Sequence, residues 1–248
     1  MMCDERLFEP QVTALADVAD MWVGSITGAS SIEAIADGLL ETVPFERFAL
    51  CGLSMGGIVA MQVIERASHR VTRVALLDTN HLAETPERRE LRAPQIDRVR
   101  RGGLREVLIE EMKPNYLGGA HRDDAALLDR VLAMGLALGP DVFERQSRAL
   151  RDRPDASDVL RRFRGPALVL CGEEDRLCPP ERHRAMADLM PGSTLVVVPG
   201  AGHLSTLEAP DIVNGALRTW LLQPSLVAQP RPAAPRVARQ ETRGVLDT

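Results

Sequence analysis

One serine, set between a strand-sized apolar run and a helix-sized one, constrains this chain more than any other feature. Phe48-Ala49-Leu50-Cys51 leads directly into Gly52-Leu53-Ser54-Met55-Gly56-Gly57, and residues 58–67 continue as an apolar stretch of helical length. A short apolar run bounded by charge and glycine reads as a buried parallel strand, so the order is strand, sharp turn, helix. A second run, Val74-Ala75-Leu76-Leu77-Asp78, completes a βαβ unit, and such a crossover implies a parallel sheet. The pentapeptide from Gly52 to Gly56 fits G-x-S-x-G. Chance alone puts that string in about one chain in ten of this length, so its weight comes from its place between strand and helix. A nucleophile held on so tight a turn needs small residues two places before and after it, here Gly52 and Gly56. The helix begun at Met55 aims free N–H groups and its positive dipole end beside the Ser54 hydroxyl, where an oxyanion would form. The competing reading is a glycine-rich turn in some other α/β protein.

The rest of the chain extends the same pattern. Ser30-Ser31-Ile32-Glu33 reads as a capped helix start, with Ser30 as the cap and a helix running to about Thr42. From residue 81 to 164 strand-like runs vanish and apolar residues recur at helical spacing, as in Leu104, Val107, Leu108 and Met112, which marks an all-helical insertion. Its 17 basic and 15 acidic residues are expected to pair on solvated faces. The strand pattern resumes with Ala167-Leu168-Val169-Leu170-Cys171, then a helix begun by Pro179-Pro180, then Thr194-Leu195-Val196-Val197-Val198. A last helix from Pro210 places Ile212, Val213, Ala216, Leu217, Trp220 and Leu221 on one face. The expected organisation is an α/β core from residues 1–80 and 165–223, a helical cap from 81–164, and a disordered tail from 224–248, whose prolines and arginines offer little apolar surface to offset ordering.

Composition narrows the function classes. The 248 residues are 45% hydrophobic and 26% charged, enough for a substantial core. A net charge of −5 gives no global basic field, which argues against a nucleic-acid partner. Cys3, Cys51, Cys171 and Cys178 form no CxxC pair and no metal-ligand spacing, so they read as free thiols and no metal or cofactor is expected. Residues 1–10 carry Asp4, Glu5 and Glu9 in place of a basic secretory start, and no apolar run reaches the roughly 18–20 residues of a membrane helix. The expected location is the cytoplasm.

A serine hydroxyl needs a base, and an imidazole oriented by a carboxylate is the usual one. Asp175 lies just past one strand in Gly172-Glu173-Glu174-Asp175, and His203 just past the next in Gly200-Ala201-Gly202-His203. Either alone reads better as a capping carboxylate or a loop histidine. Together, at the ends of consecutive strands and in the order Ser, Asp, His, they point to one site. Asp78, ending the strand after the Ser54 helix, is the alternative acid. His69, His81, His121 and His183 are expected in solvated positions, and Cys51 and Cys171 as small buried hydrophobes.

These residues make the chain resemble the α/β-hydrolase superfamily, most closely its small esterase, enol-lactonase and carbon–carbon hydrolase branch with a helical cap. The resemblance rests on the Gly52 to Gly57 turn, the Leu76-Leu77-Asp78-Thr79 strand end, the Gly172 to Pro180 loop, and Gly200-Ala201-Gly202-His203 with Glu208-Ala209-Pro210. It implies a mostly parallel, doubly wound sheet, Ser54 as nucleophile, Asp175 as acid and His203 as base. It also implies the Met55 N–H as one oxyanion donor and a second from a turn that leads into residue 1, which leaves Met2 as the nearest candidate. Serine at the elbow separates the chain from the aspartate-nucleophile branches. The implied reaction is cleavage of a small carboxylic ester or lactone, with carbon–carbon hydrolysis, acyl transfer or a non-catalytic remnant as alternatives, a small-molecule partner, and homodimerisation left open. Relatives carry a strand ahead of the helix expected from Phe8 to Val18; here the chain starts after it. That strand would lie between one near Met21-Trp22-Val23 and the nucleophile strand, so the expectation is a central gap or a new pairing of those two, and an N-terminally shortened protein of poor activity or stability.

Overall fold

The computed structural model describes residues 1–224; the expected disordered tail, from residue 225 on, lies outside them. Four parallel strands, β1 (Phe48–Leu53), β2 (Val71–Leu77), β3 (Ala167–Gly172) and β4 (Thr194–Val198), form one sheet in the order β1-β2-β3-β4. Ten α-helices accompany them among the described residues. Before and within the first crossover lie α1 (Glu9–Ala14), α2 (Ile32–Thr42) and α3 (Met55–Ala67). Between β2 and β3 come α4 (Pro86–Arg100), α5 (Leu104–Glu106), α6 (Ala125–Arg151) and α7 (Ser157–Arg162), with no strand. α8 (Pro180–Leu189) connects β3 to β4, and α9 (Ser205–Glu208) and α10 (Pro210–Leu222) follow β4. None of the described helices is long and apolar enough to cross a membrane.

The pleat sorts the strand residues between two cores. Val74, Leu76 and Val169 face α2, α3, α7 and α8, while Ala75, Leu77, Leu168 and Leu170 face α10 and the N-terminal residues Leu7 and Leu15. Both faces are covered, so β2 and β3 read as continuous apolar runs, as parallel strands must. A third cluster, in the 81–164 segment, gathers Ile96, Val99, Val107, Leu108 and Phe143 around Met2. Ser31, one residue later than expected, caps α2 by accepting from the Ala34 N–H.

The N-terminal expectations need correction. In place of a helix from Phe8 to Val18 there is a 3₁₀ turn over Glu5–Phe8 and the six-residue α1. A helix that short has no stability of its own. It is held by the buried Gln11, whose Nε2 donates to the Thr206 carbonyl and to Asn214 Oδ1, both at 3.1 Å. Met21, Trp22 and Val23 form no strand and are each 40% exposed. They do not close up on β1. A cavity of about 590 Å³ lies there instead, lined by β1 along its whole length, by Met21 to Val23, and by Val59, Val63, Leu39 and Trp220.

β1 is therefore an edge strand among the described residues, and this explains why it is only partly buried where β2 and β3 are buried. The N–H groups of Phe48 and Ser54 donate toward β2, to Arg70 and Leu77. By the alternation of the pleat, those of Leu50 and Gly52 point the same way, and those of Ala49 and Cys51 point into the cavity. Amide hydrogen exchange followed by NMR is expected to show Leu50 and Gly52 strongly protected and Ala49 and Cys51 exchanging faster by orders of magnitude. Equal protection across the four would mean that the outer edge is covered.

Candidate active site

The turn after β1 is sharp because its backbone leaves the ordinary wells. Ser54 has φ 53° and ψ −117°, a conformation that surrounding contacts must hold in place. Its carbonyl accepts from the Gly57 and Ile58 N–H groups at 3.0 and 3.2 Å and from the Thr79 hydroxyl at 2.6 Å. Glycine is needed at two places. A Cβ on Gly52 would lie 2.3 Å from the Gly56 carbonyl oxygen, and one on Gly57 would lie 2.6 Å from Thr79 Oγ1. Gly56, expected to be the second required small residue, has open space where its Cβ would go, because it borders the cavity beside β1.

The carboxyl ends of three strands bring the sequence-predicted residues together. His203 Nε2 lies 2.8 Å from Ser54 Oγ, and His203 Nδ1 lies 2.9 Å from Asp175 Oδ2. Asp175 and His203 are each 3% exposed. The other oxygen of Asp175 accepts from the Leu177 and Cys178 N–H groups at 2.8 and 2.9 Å, which turns Oδ2 toward the imidazole. With a carboxylate on Nδ1, the neutral ring carries its proton there and presents a bare Nε2 to the serine hydroxyl. Asp78 makes a different set of bonds. Its carboxyl accepts from Gly172 N–H at 2.9 Å and from the N–H and hydroxyl of Ser205 at 3.1 and 2.6 Å, tying β2 to β3 and to α9. Burial, and then the charge of Asp175, push the Asp78 carboxyl well above the usual range.

Sequence reasoning missed the frame around these groups. Glu208 is buried, and its carboxylate accepts from Gly118 N–H at 2.7 Å, Gly202 N–H at 3.0 Å and Leu204 N–H at 3.1 Å. It clamps the loop that carries His203 to the loop of residues 116–118. The His203 N–H donates to the Tyr116 carbonyl at 2.7 Å, and the Tyr116 ring stacks on the imidazole with centroids 6.1 Å apart. The Glu208-Ala209-Pro210 string was visible, but its role depends on where the 81–164 segment folds back, which no local pattern gives.

Three further expectations change. His81 and His183 are buried, not solvated, at 6% and 0% exposure: the His81 carbonyl accepts from the Ala156 N–H, and the His183 ring is docked against the end of β2. His183 Nε2 accepts from the Thr79 N–H at 2.9 Å and Nδ1 lies 3.3 Å from the Pro179 carbonyl, so the ring is neutral with its proton on Nδ1. The Met2 N–H donates to Gln146 Oε1 at 2.8 Å and is not free to serve an oxyanion. Burial of the Met2 side chain, 2% exposed in the cluster around Phe143, turns its backbone toward α6. Met55, by contrast, opens α3, where the first N–H groups have no helical acceptor. Cys51 and Cys171 have no charged partner within bonding reach, and burial pushes both thiols up to about 12. Asp175, Cys178 and His203 lie close enough to suggest a metal site. The donor set does not fit one: burial pushes the Cys178 thiol up, away from thiolate, and the carboxylate and imidazole are bonded to each other.

A parallel sheet with a strained serine turn after one strand, and a carboxylate and a histidine in the loops after two others, defines the α/β-hydrolase class. The sequence profile of the alpha/beta hydrolase family matches residues 10–216, and the chain belongs to that family. It is 30% identical over 207 residues to a 2-succinyl-6-hydroxy-2,4-cyclohexadiene-1-carboxylate synthase of Serratia proteamaculans, covering 80% of this chain and 77% of that one. It is 25% identical over 182 residues to an uncharacterised hydrolase of Bacillus subtilis, covering 71% of this chain and 66% of that one, and so spans just under two thirds of its length. Among solved structures, a thermophilic esterase of Thermogutta terrifontis superposes with a TM-score of 0.79 at 31% identity, covering 88% of this chain and 85% of that one. An enol-lactonase of Burkholderia xenovorans superposes with a TM-score of 0.76 at 23% identity, over 90% and 88% of the two chains, and at that identity shares the fold.

His183 makes stability depend on pH. Burial pushes its pKa down to about 4, and the groups that bear on it are Asp175, His203 and His81. An unfolded chain takes up this proton below about pH 6.5, and the folded one only near 4. Stability is thus full above about 6.5 and falls by about 1.4 kcal/mol per pH unit below it, to a total of about 3 kcal/mol. Urea unfolding of the protein and of His183→Gln, at several values between pH 7.5 and 4.5, should show the variant with the flatter profile by about one proton. Parallel profiles would show that His183 is not held neutral.

Proposed function

We propose that the protein is a serine hydrolase that cleaves a small carboxylic ester or lactone through an acyl-enzyme. The observation that carries this reading is the unbroken hydrogen-bond chain from Asp175 through His203 to Ser54. His203 Nε2 takes the Ser54 proton as Oγ attacks the ester carbonyl, and the imidazolium so formed is stabilised by Asp175. The tetrahedral oxyanion forms beside the N-terminus of α3, where the Met55 N–H donates to it. Collapse breaks the bond to the leaving oxygen, which departs with the proton from His203. A water then gives its proton to His203 and attacks the acyl carbon, releasing the acid and restoring Ser54. The cavity along β1 reaches Ser54 and His203 and so opens onto the reacting atoms.

Ser54→Ala and His203→Ala are expected to lower p-nitrophenyl butyrate hydrolysis by about a thousandfold or more, and Asp175→Asn somewhat less. A fluorophosphonate should label the protein and fail to label Ser54→Ala. Retention of more than about a tenth of the rate by Ser54→Ala would overturn the assignment.

A further inference from the structure

A second pocket, of about 240 Å³, ends on Ser54 and His203 from the side of the 81–164 segment. Its walls include three guanidinium groups, those of Arg88, Arg92 and Arg153. Two of these share one carboxylate: Glu84, whose side chain is fully buried, lies 2.9 Å from Arg92 Nη2 and 3.0 Å from Arg153 Nη2. Arg153 is 6% exposed at its side chain and Arg92 15%. The pocket's own carboxylate, Glu111, is already met by Arg98 at 3.0 Å and by Gln95 at 2.7 Å. Arg153 is acted on by the Glu84 carboxylate and by Cys178, whose thiol is held away from thiolate by burial, and against them by the two other arginines.

One fully buried carboxylate against two guanidiniums, 6% and 15% exposed, leaves a net positive charge, and such a charge is costly without a partner. The Nε–H of Arg92 is also buried without an acceptor among the described residues. A bound anion would answer both deficits at once, and a carboxylate matches the planar fork of a guanidinium. Leu91, Met112, Phe143 and Leu150 add apolar wall to the same pocket.

We propose that Arg92 and Arg153, with Arg88 at the mouth, form a carboxylate subsite, and that the substrate is an ester or lactone bearing a free carboxylate away from its scissile carbonyl. The inference rests on Ser54 hydrolysis for the word substrate, but the anion site itself does not. The carboxylate anchors the acyl or alkoxy part by its far end, and the carbonyl is thereby set beside Ser54 Oγ. Neutral esters fill the apolar wall and leave the arginines unpaired, so they bind less well.

The test uses monoethyl glutarate and its neutral counterpart ethyl valerate. Calorimetric titration into Ser54→Ala, which leaves the esters intact, should show monoethyl glutarate binding at least tenfold more tightly. Adding Arg92→Gln should remove most of that preference. Arg92→Gln leaves a one-to-one Glu84–Arg153 pair and should fold with an unchanged or higher Tm. Arg88→Gln, on an exposed side chain, provides a second variant with a smaller loss of preference. Equal affinity for the two esters, or a preference that survives Arg92→Gln, overturns the subsite. Turnover by the unsubstituted protein separates the two claims. Cleavage of both esters without preference keeps the hydrolase and removes the subsite; tight binding of the half-ester without cleavage keeps the subsite and removes the hydrolase.

Discussion

The site depends on the backbone of a single residue. Ser54 is held at a positive φ, and the cost of about 1–3 kcal/mol that such a conformation carries is met by contacts on every side of it. Its carbonyl takes three donors, Gly52 lets β1 approach the first turn of α3, and Gly57 lets α3 approach Thr79 at the end of β2. Those contacts join β1, α3 and β2 at one point. From it the Oγ projects above the carboxyl edge of the sheet, where the loops after β3 and β4 bring Asp175 and His203. Loosening of any of the three would let the serine relax to an ordinary helix N-cap, out of line with the imidazole.

A second frame of buried polar groups fixes the loops around that point. Asp78 ties the end of β2 to the end of β3 and to α9, Thr79 joins the elbow to His183, and Glu208 gathers the N–H groups of Gly118, Gly202 and Leu204. Each of these side chains is enclosed, and the carboxylates of Asp78 and Glu208 and the His183 ring accept from backbone N–H groups of the loops around the site. Loss of one partner leaves buried donors without acceptors, which costs more than the bond itself contributes. This is why the loops that carry Asp175 and His203, irregular as they are, need not be mobile. Asp78 shows the division of labour between two acids that both lie near the histidine. The one with three donors of its own serves the scaffold, and the one with a free oxygen faces the ring.

The parts that sequence makes legible are those governed by local pattern. The strand-turn-helix unit, the two strands after the insertion and the apolar stripe of α10 depend on periodicity and on turn residues, and Ser54, Asp175 and His203 sit at their ends. What local pattern does not carry is which buried polar group meets which distant backbone. His183 is on a charged helix, Pro-Glu-Arg-His-Arg, and reads as solvated; only the docking of that helix under Thr79 buries it. Glu208 has the same history, since its donor Gly118 is 90 residues away. Met21, Trp22 and Val23 fail in the opposite sense. The family resemblance implied a strand there, but a strand forms only where a ladder partner is present, and none meets these residues among those described.

The unpaired edge of β1 and the assembled site belong to different sides of the sheet. The ladder that positions the chemistry runs from β1 through β2 and β3 to β4, and every residue of the hydrogen-bond chain sits at an end of one of these strands. Pairing on the outer side of β1 is not needed to set the distance from serine to imidazole or from imidazole to carboxylate. It does bear on what lies beside the oxyanion. The cavity along β1 reaches Met55, Gly56 and His203, so the elbow borders open space there and not a neighbouring strand. The hydrogen-bond chain from Asp175 through His203 to Ser54 is therefore complete among the described residues, while the Met2 N–H is committed to Gln146. Under the proposed mechanism, activation of Ser54 thus rests on the loops after β3 and β4, while the Met55 N–H beside it rests on β1 and the start of α3.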